Sequence, residues 1–328
     1  MQAAFYDSNG PAREVLRLGE LPDPEPGPGE LRVRLHCSGV NPSDVKSRAG
    51  RRNMPMPFAR VVPHSDGAGI VDQVGPGVPA TRVGERVWVW NAAWGRPMGT
   101  AAQYVVLPAA QAVALPEGTS LEAGACFGIP ALTALHAVQG QGGVGGRCVL
   151  VAGGAGAVGH YAVQCARLLG ARQVLASVSG PEKAAIALAA GADAAIDYRR
   201  EDLAARVRAL TDGRGVDRVI EVDIAANGAR YGELLRAGGE AMVYGSGTPE
   251  FGLPFFPLIA RNISLHFFIV YHLDEAARAA ALDTLWRLLI EGRLQHRIAQ
   301  RLPLAQIAAA HELVESGRAV GNVVLEIP

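Results

Sequence analysis

Cysteine is scarce in this chain. The four thiols, Cys37, Cys126, Cys148 and Cys165, form no C-x-x-C pair and no disulfide framework. Cys148 sits in an apolar run and Cys165 in a helical pattern, so both read as small buried hydrophobes rather than reactive groups. Net charge is lacking as well. The 31 Lys and Arg balance 31 Asp and Glu, which leaves no global field to hold nucleic acid. The basic cluster Arg51, Arg52 and Arg60 reads as a solvated loop. No run of 18 apolar residues occurs, which argues against a helical membrane span. The first twenty residues have no apolar core of a secretion signal. These absences together predict a protein of the reducing cytoplasm.

What is present suits two globular domains. The chain has 328 residues, 49% of them hydrophobic, enough for two cores. The first 120 or so residues are broken by Gly and Pro. Short β-type runs follow the turn-rich segment 21–30, at 31–40, 68–75, 85–90 and 102–108, and predict a compact β-barrel-like domain. From about residue 122 strands and helices alternate. Strands are expected at 147–153, 173–178, 194–198, 217–222, 240–245 and 263–270. Helices are expected at 157–170, from Ser179 to Gly191 with a capping box between Ser179 and Glu182, and at 201–211. This pattern predicts an α/β, doubly wound parallel sheet. The tail has a helix at 274–292 with Leu282, Leu285, Trp286 and Leu289 on one face, a strand at 297–302, a helix at 304–316 and a strand at 322–327. It is expected to fold back onto the first domain. The division is therefore 1–124 with 272–328, and 125–271.

The strongest local signal is the turn Gly154-Ala155-Gly156-Ala157-Val158-Gly159, a G-x-G-x-x-G after an apolar strand and at the start of a helix. In that setting it predicts a dinucleotide site. The glycines allow a tight turn, close approach of a diphosphate and packing of helix on strand, while the helix N-terminus faces the anion. The second strand selects the dinucleotide. Its end reads Ala176-Ser177-Val178-Ser179-Gly180, with no acid before Glu182. A carboxylate there would hold ribose hydroxyls and repel a 2′-phosphate. Ser177, Ser179 and Lys183 instead predict NADP(H) over NAD(H). Ser179 as a plain helix cap and Lys183 as a solvated lysine remain compatible with that role.

At this point the chain resembles the quinone oxidoreductase, zeta-crystallin-like branch of the medium-chain dehydrogenase/reductase superfamily. The matching pieces run from about residue 30 to the C-terminus: CSGVNPSD (37–44), HSDGAGIV (64–71), GIPALTALHAV (128–138), VAGGAGAVG (151–159), GADAAIDYR (191–199), VYGSG (243–247) and SGRAVGNVVL (316–325). The resemblance implies a GroES-like catalytic domain beside a Rossmann domain, and a homodimer joined through the sixth strand. It implies that Asn41 and Thr133 contact the nicotinamide end, with Gly156, Ala157 and Val158 along the diphosphate, beside the Gly154 and Gly159 of the motif. Ser177, Lys183 and Tyr198 would surround the 2′-phosphate and adenosine ribose. Asn227, Gly245 and Ser246 would lie along the ribose and nicotinamide, and Phe268, Ile269 and Val270 would reach the carboxamide. Three positions depart from the pattern. Lys46 stands where many members carry Tyr, Ala157 replaces a glycine, and Asn322 replaces a frequent lysine.

Zinc members of that superfamily need thiolate or imidazole ligands. Here the ligand positions read Asn41 and Ser65, followed by Asp66, and the four-cysteine lobe is missing; His64 reads as a hydrogen-bonded structural residue. The expectation is metal-free chemistry. Without a Lewis acid an alkoxide is poorly stabilised, whereas a conjugated carbonyl accepts hydride readily. Asn41, Lys46 and Thr133 are the candidate catalytic residues. Lys46 either sets a cation beside a developing oxyanion or is an exposed loop lysine. Trp88, Trp90 and Trp94 are pocket candidates, with core the favoured reading for Trp88 and Trp90. The function expected is NADPH-dependent reduction of a quinone. The alternatives are reduction of an α,β-unsaturated carbonyl and, from another class, a nucleotide-binding protein without turnover. No nucleic acid or membrane partner is expected.

Overall fold

The computed structural model describes residues 1–50 and 55–328; Arg51 and Arg52 of the basic cluster lie outside the described residues. Two compact units emerge, one made of Met1–Ile129 with Leu289–Pro328 and the other of Pro130–Leu288.

In the first unit alternation of burial builds the sheet. Strand Glu30–Val40 buries Leu31, Val33 and Leu35 on one face and carries Arg32 and Arg34 between them, the period-two signature of a sheet with one face on the core. It pairs antiparallel with Asp66–Val74, Tyr104–Pro108 and Asn322–Glu326. Arg86–Val89, Ala112–Ala114 and Ile298–Pro303 complete a seven-stranded sheet. The core gathers Leu31, Val33, Val71, Val87, Val105, Leu107 and Leu325. Trp88 is a core residue, edge-on to Phe127 at 5.6 Å between ring centroids. Trp90 and Trp94 are half-buried beyond that strand's end.

The second unit is a six-stranded, wholly parallel sheet of Cys148–Val151, Gln173–Val178, Ala194–Asp197, Val216–Glu221, Leu235–Val243 and Ser264–Phe267. Numbered along the chain, their spatial order is 3-2-1-4-5-6. That order reverses beside the first strand, where the crevice of a doubly wound sheet lies. The first strand, Cys148–Val151, reads as a continuous apolar run because both its faces are covered; all four of its residues are buried.

Two expectations need correction. The capping box of Ser179 and Glu182 does not form. Helix Pro181–Ala189 starts from Gly180, whose φ is 157° and which offers no side chain. Pro at the first helical position already removes one orphan N–H, and the Ser179 hydroxyl is engaged elsewhere. Helix Glu275–Ile290 turns Ala281, Leu285, Leu288 and Leu289 inward and leaves Trp286 exposed. Most of that helix belongs to the second compact unit, Pro130–Leu288.

Candidate active site

The glycine turn carries four separable constraints. Gly153 has φ 67°, in the left-handed region that favours glycine; it is the turn residue, one position ahead of the motif. A Cβ on Gly154 would stand 2.6 Å from the Cβ of Ala176 on the second strand. A Cβ on Gly159 would stand 2.1 Å from the Gly153 carbonyl oxygen, so Gly159 lets helix Ala157–Leu168 settle on the turn. Gly156 is different. It is the N-cap, makes no side-chain cap bond, and a Cβ there would meet only the Gly153 oxygen at 3.3 Å. The helix therefore opens uncapped, with no acidic residue in its first turn, the arrangement that attracts an anion.

Beside the turn, the buried Ser177 hydroxyl accepts from the Gly153 N–H at 3.3 Å. The Lys183 ammonium donates to the Ser179 hydroxyl at 3.0 Å. Tyr198 is half-exposed past the third strand. Hydroxyls and an ammonium thus stand where an acid would select an unphosphorylated ribose, and these residues fit a dinucleotide with a 2′-phosphate.

A cavity of about 650 Å³ opens at the C-terminal ends of the fifth and sixth strands, where Gly245, Ser246, Phe268 and Ile269 line it. A Cβ on Gly245 would lie 2.2 Å from the Val222 carbonyl oxygen, so glycine is required. Phe268 packs edge-on against His136 at 4.6 Å. Val270 is buried, and its carbonyl accepts from Arg278 at 2.8 Å. Asn227 donates its amide to Glu221 at 2.9 Å. Glu221 is buried and also accepts from Tyr231 at 2.9 Å and from the Asp223 N–H at 2.6 Å. Burial raises its carboxyl above the ordinary range against those donors. Thr133 is buried in the first turn of helix Leu132–Gln139.

Residue-level reading missed His136, His272 and Asp274, which line the same cavity. His136 follows Thr133 by three positions on one helix, a spacing that shares a face. His272 and Asp274 carry no local signature.

In the first unit Asn41 is the N-cap of helix Pro42–Arg48, with Lys46 half-buried in its last turn. Asn41 is 3% exposed. Its backbone N–H donates to Asp44 at 2.8 Å and its amide nitrogen to Asp66 at 3.0 Å. Ser65 is buried. His64 is fully buried, at φ 78°. Its Nδ1 meets the Ser38 hydroxyl at 2.9 Å, and its Nε2 meets Nε2 of His311 at 2.8 Å. Burial pulls the His64 imidazole down to about 3 and His311 well below its usual range. Both rings are neutral in the folded chain and protonate when it unfolds below about pH 6.5. Their stabilisation is complete above that pH and is lost as pH falls toward 3. Asp66, raised by burial, works in the opposite sense, because the folded state then holds the extra proton. Comparison with His64→Gly isolates the imidazole, since glycine accepts the positive φ. Between pH 6 and 4 the wild-type unfolding free energy should fall more steeply than the variant's, by about 1.4 kcal/mol per pH unit for one proton. Parallel slopes in denaturant titrations would refute this.

The N-terminal part matches the alcohol dehydrogenase GroES-like domain over residues 27–117, and residues 157–287 match the zinc-binding dehydrogenase family. A quinone oxidoreductase of Pseudomonas aeruginosa is 32% identical over 99% of this chain and 98% of its own. A 2-haloacrylate reductase of a Burkholderia species is 30% identical over 99% and 98%. The crystal structure of Escherichia coli quinone oxidoreductase complexed with NADPH is 26% identical, with a TM-score of 0.88 over 99% of this chain and 100% of that one.

Proposed function

This chain belongs to the medium-chain dehydrogenase/reductase superfamily, in its quinone oxidoreductase branch, and we propose from that premise that it is an NADPH-dependent, zinc-independent reductase of quinones. One observation carries the reading. Helix Ala157–Leu168 opens uncapped behind Gly156, the Lys183 ammonium holds the Ser179 hydroxyl, and no acid occurs in the sequence from Gly156 to Ser179; we read these groups as the cradle for a diphosphate and a 2′-phosphate. NADPH, when bound, supplies the hydride. Gly154, Gly156, Ala157, Val158 and Gly159 hold the diphosphate, and Ser177, Ser179, Lys183 and Tyr198 the phosphorylated ribose. Asn227, Gly245 and Ser246 line the way to the nicotinamide end, where Thr133, Phe268, Ile269 and Val270 orient the ring. Asn41 and Lys46 are the groups offered to the acceptor: an amide N–H and an ammonium that favour negative charge developing on its oxygen. Asn41 and Ser65 offer no thiolate or imidazole to zinc, so the acceptor itself must delocalise the charge.

A quinone does so. An α,β-unsaturated acceptor does so too, and the 2-haloacrylate reductase among the relatives keeps that second reading in play. The test is a steady-state panel of 1,4-benzoquinone and 1,2-naphthoquinone beside enones and haloacrylates, with NADPH and NADH. NADPH with a quinone should turn over fastest. Enone rates above quinone rates would transfer the assignment to the second reading. NADPH binding without any turnover would leave only a nucleotide-binding protein. Lys183→Glu should raise the KM for NADPH about tenfold or more, some 1.4 kcal/mol, and leave that for NADH nearly unchanged. Equal effects on both would remove the argument for the 2′-phosphate.

We also assign a homodimer joined at the sixth strand. Among the described residues, Ser264–Phe267 ends the sheet with one side unpaired. In the helix that precedes it, Phe255–Ile259, Phe255 and Phe256 are 74% and 76% exposed, and Phe267 on the strand itself is 60% exposed. Apolar surface of that kind next to an open strand edge is usually covered. Sedimentation should give a dimer, and Phe256→Lys with Phe267→Lys a folded monomer. No described helix is long and apolar enough to cross a membrane. Four buried, unpaired cysteines suit the reducing cytoplasm, where we place the protein.

A further inference from the structure

We infer that Asp66 is a positioning residue that turns the Asn41 amide so that its nitrogen, not its oxygen, is presented to the substrate. The inference rests on the role given to Asn41 above.

Asp66 is fully buried at the start of strand Asp66–Val74. Its Oδ2 accepts from the Asn41 amide nitrogen at 3.0 Å and from the Ile129 N–H at 2.9 Å. An acceptor at that point decides which end of the amide faces it. The Asn41 oxygen is then turned to the first turn of its own helix, where Asn41 and Asp44 form a capping box. One amide N–H goes to Asp66, and the other is the group left to donate to a carbonyl or developing oxyanion. With the amide reversed, an oxygen would face the acceptor's oxygen, and two lone pairs would repel.

The carboxyl is held in place from several sides. A Cβ on Gly128 would lie 2.3 Å from Asp66 Oδ1, and one on Gly39 would lie 3.2 Å from Asp66 Cβ. The Asp66 carbonyl accepts from the Thr100 hydroxyl at 2.6 Å, and Thr100 meets the Ser38 hydroxyl at 2.7 Å. Ser38 reaches His64, and His64 reaches His311. Every one of these side chains is buried. A fully buried polar chain with few alternatives gives one geometry, which a hydrogen-bond donor in a site requires. Among the described residues Oδ1 meets no hydrogen-bond partner, and burial, with Asp44 adding to it, favours the protonated acid. Oδ2 is then the carbonyl-like acceptor, a role that an amide oxygen can also fill.

The test is a double-mutant cycle on quinone turnover, with melting temperatures measured alongside. Asp66→Ala should lower kcat about tenfold or more, with KM for NADPH within about twofold. Asn41→Ala should do the same. The double variant should be no more than about twofold worse than Asn41→Ala, because Asp66 acts through that amide. Asp66→Asn should keep kcat within about threefold of the wild type. Losses that multiply in the double variant, an Asp66→Asn as damaged as Asp66→Ala, or an Asn41→Ala with full activity would each overturn the inference while the proposed function stands. A wild type that turns over no quinone would remove both. If Asp66→Ala does not fold, Asp66→Ser takes its place in the cycle.

Discussion

Replacing Gly159 with valine should weaken NADPH binding by about 100-fold or more, roughly 2.7 kcal/mol. A Cβ at this position would lie 2.1 Å from the Gly153 oxygen, 2.8 Å from its carbonyl carbon and 3.0 Å from the Gly154 Cα. These are backbone atoms, so no rotamer change relieves the clash, and two further methyl groups worsen it. The helix must lift from the turn. Its free N–H groups then no longer converge on the position proposed for the diphosphate. Gly156→Ala is the comparison that separates binding from folding. Its Cβ meets one atom at 3.3 Å, so the variant should keep its melting temperature yet lose affinity, because the methyl stands on the open side of the turn. Fluorescence titration with NADPH and thermal melts of both variants decide the matter. Unimpaired nucleotide binding by Gly159→Val would show that the turn does not hold the diphosphate.

The turn was legible in the sequence because every constraint on it is local. Glycine spacing, the apolar strand before it and the helical pattern after it lie within one βαβ unit. The parallel sheet was legible for a related reason: strands and helices alternate at regular spacing, and the first strand, Cys148–Val151, prints a continuous apolar run because both its faces are covered. Gly153 escaped notice because its positive φ is invisible beside a second glycine. The Ser179–Glu182 spacing misled because Lys183 takes the Ser179 hydroxyl and Gly180 becomes the cap. Trp286 misled because a helix can bury Leu288 in its place with a small rotation of the apolar face. The network around Asp66 had no linear signature. His64 and His311 lie 247 positions apart, and a lone buried imidazole in a sequence gives no sign of its partner. The same holds for the cavity, whose His136 and Asp274 come from opposite ends of the nucleotide unit.

Arg218 makes the strongest case for a stability effect far from the glycine turn. Its guanidinium is fully buried. It donates to the carbonyls of Ala137 at 3.1 Å, Val138 at 2.9 Å, Gly140 at 2.8 Å and Gln141 at 3.1 Å. Glu240 accepts from it at 3.0 and 2.6 Å. The carbonyls belong to the end of helix Leu132–Gln139 and the turn after it, where helical bonding runs out. One side chain on the fourth strand thus closes the C-terminus of the helix that carries Thr133 and His136. Arg218→Met keeps much of the volume but removes every donor. Glu240 would retain Arg147 and His266 nearby, whereas the buried carbonyls of Ala137 and Val138 would lose the guanidinium; that of Gly140 keeps the Gly143 N–H. The expected loss is about 3–5 kcal/mol of unfolding free energy, read from denaturant midpoints at constant m-value. Arg218→Lys should recover only a minor part, since one ammonium cannot reach four carbonyls and a carboxylate with the geometry of a planar fork. A loss under about 1 kcal/mol for Arg218→Met would mean that water, or a shift of the helix end, satisfies those carbonyls without the arginine. If the loss is as large as expected, the NADPH affinity of the folded fraction should also fall modestly, because Thr133 then sits on a helix with a frayed end.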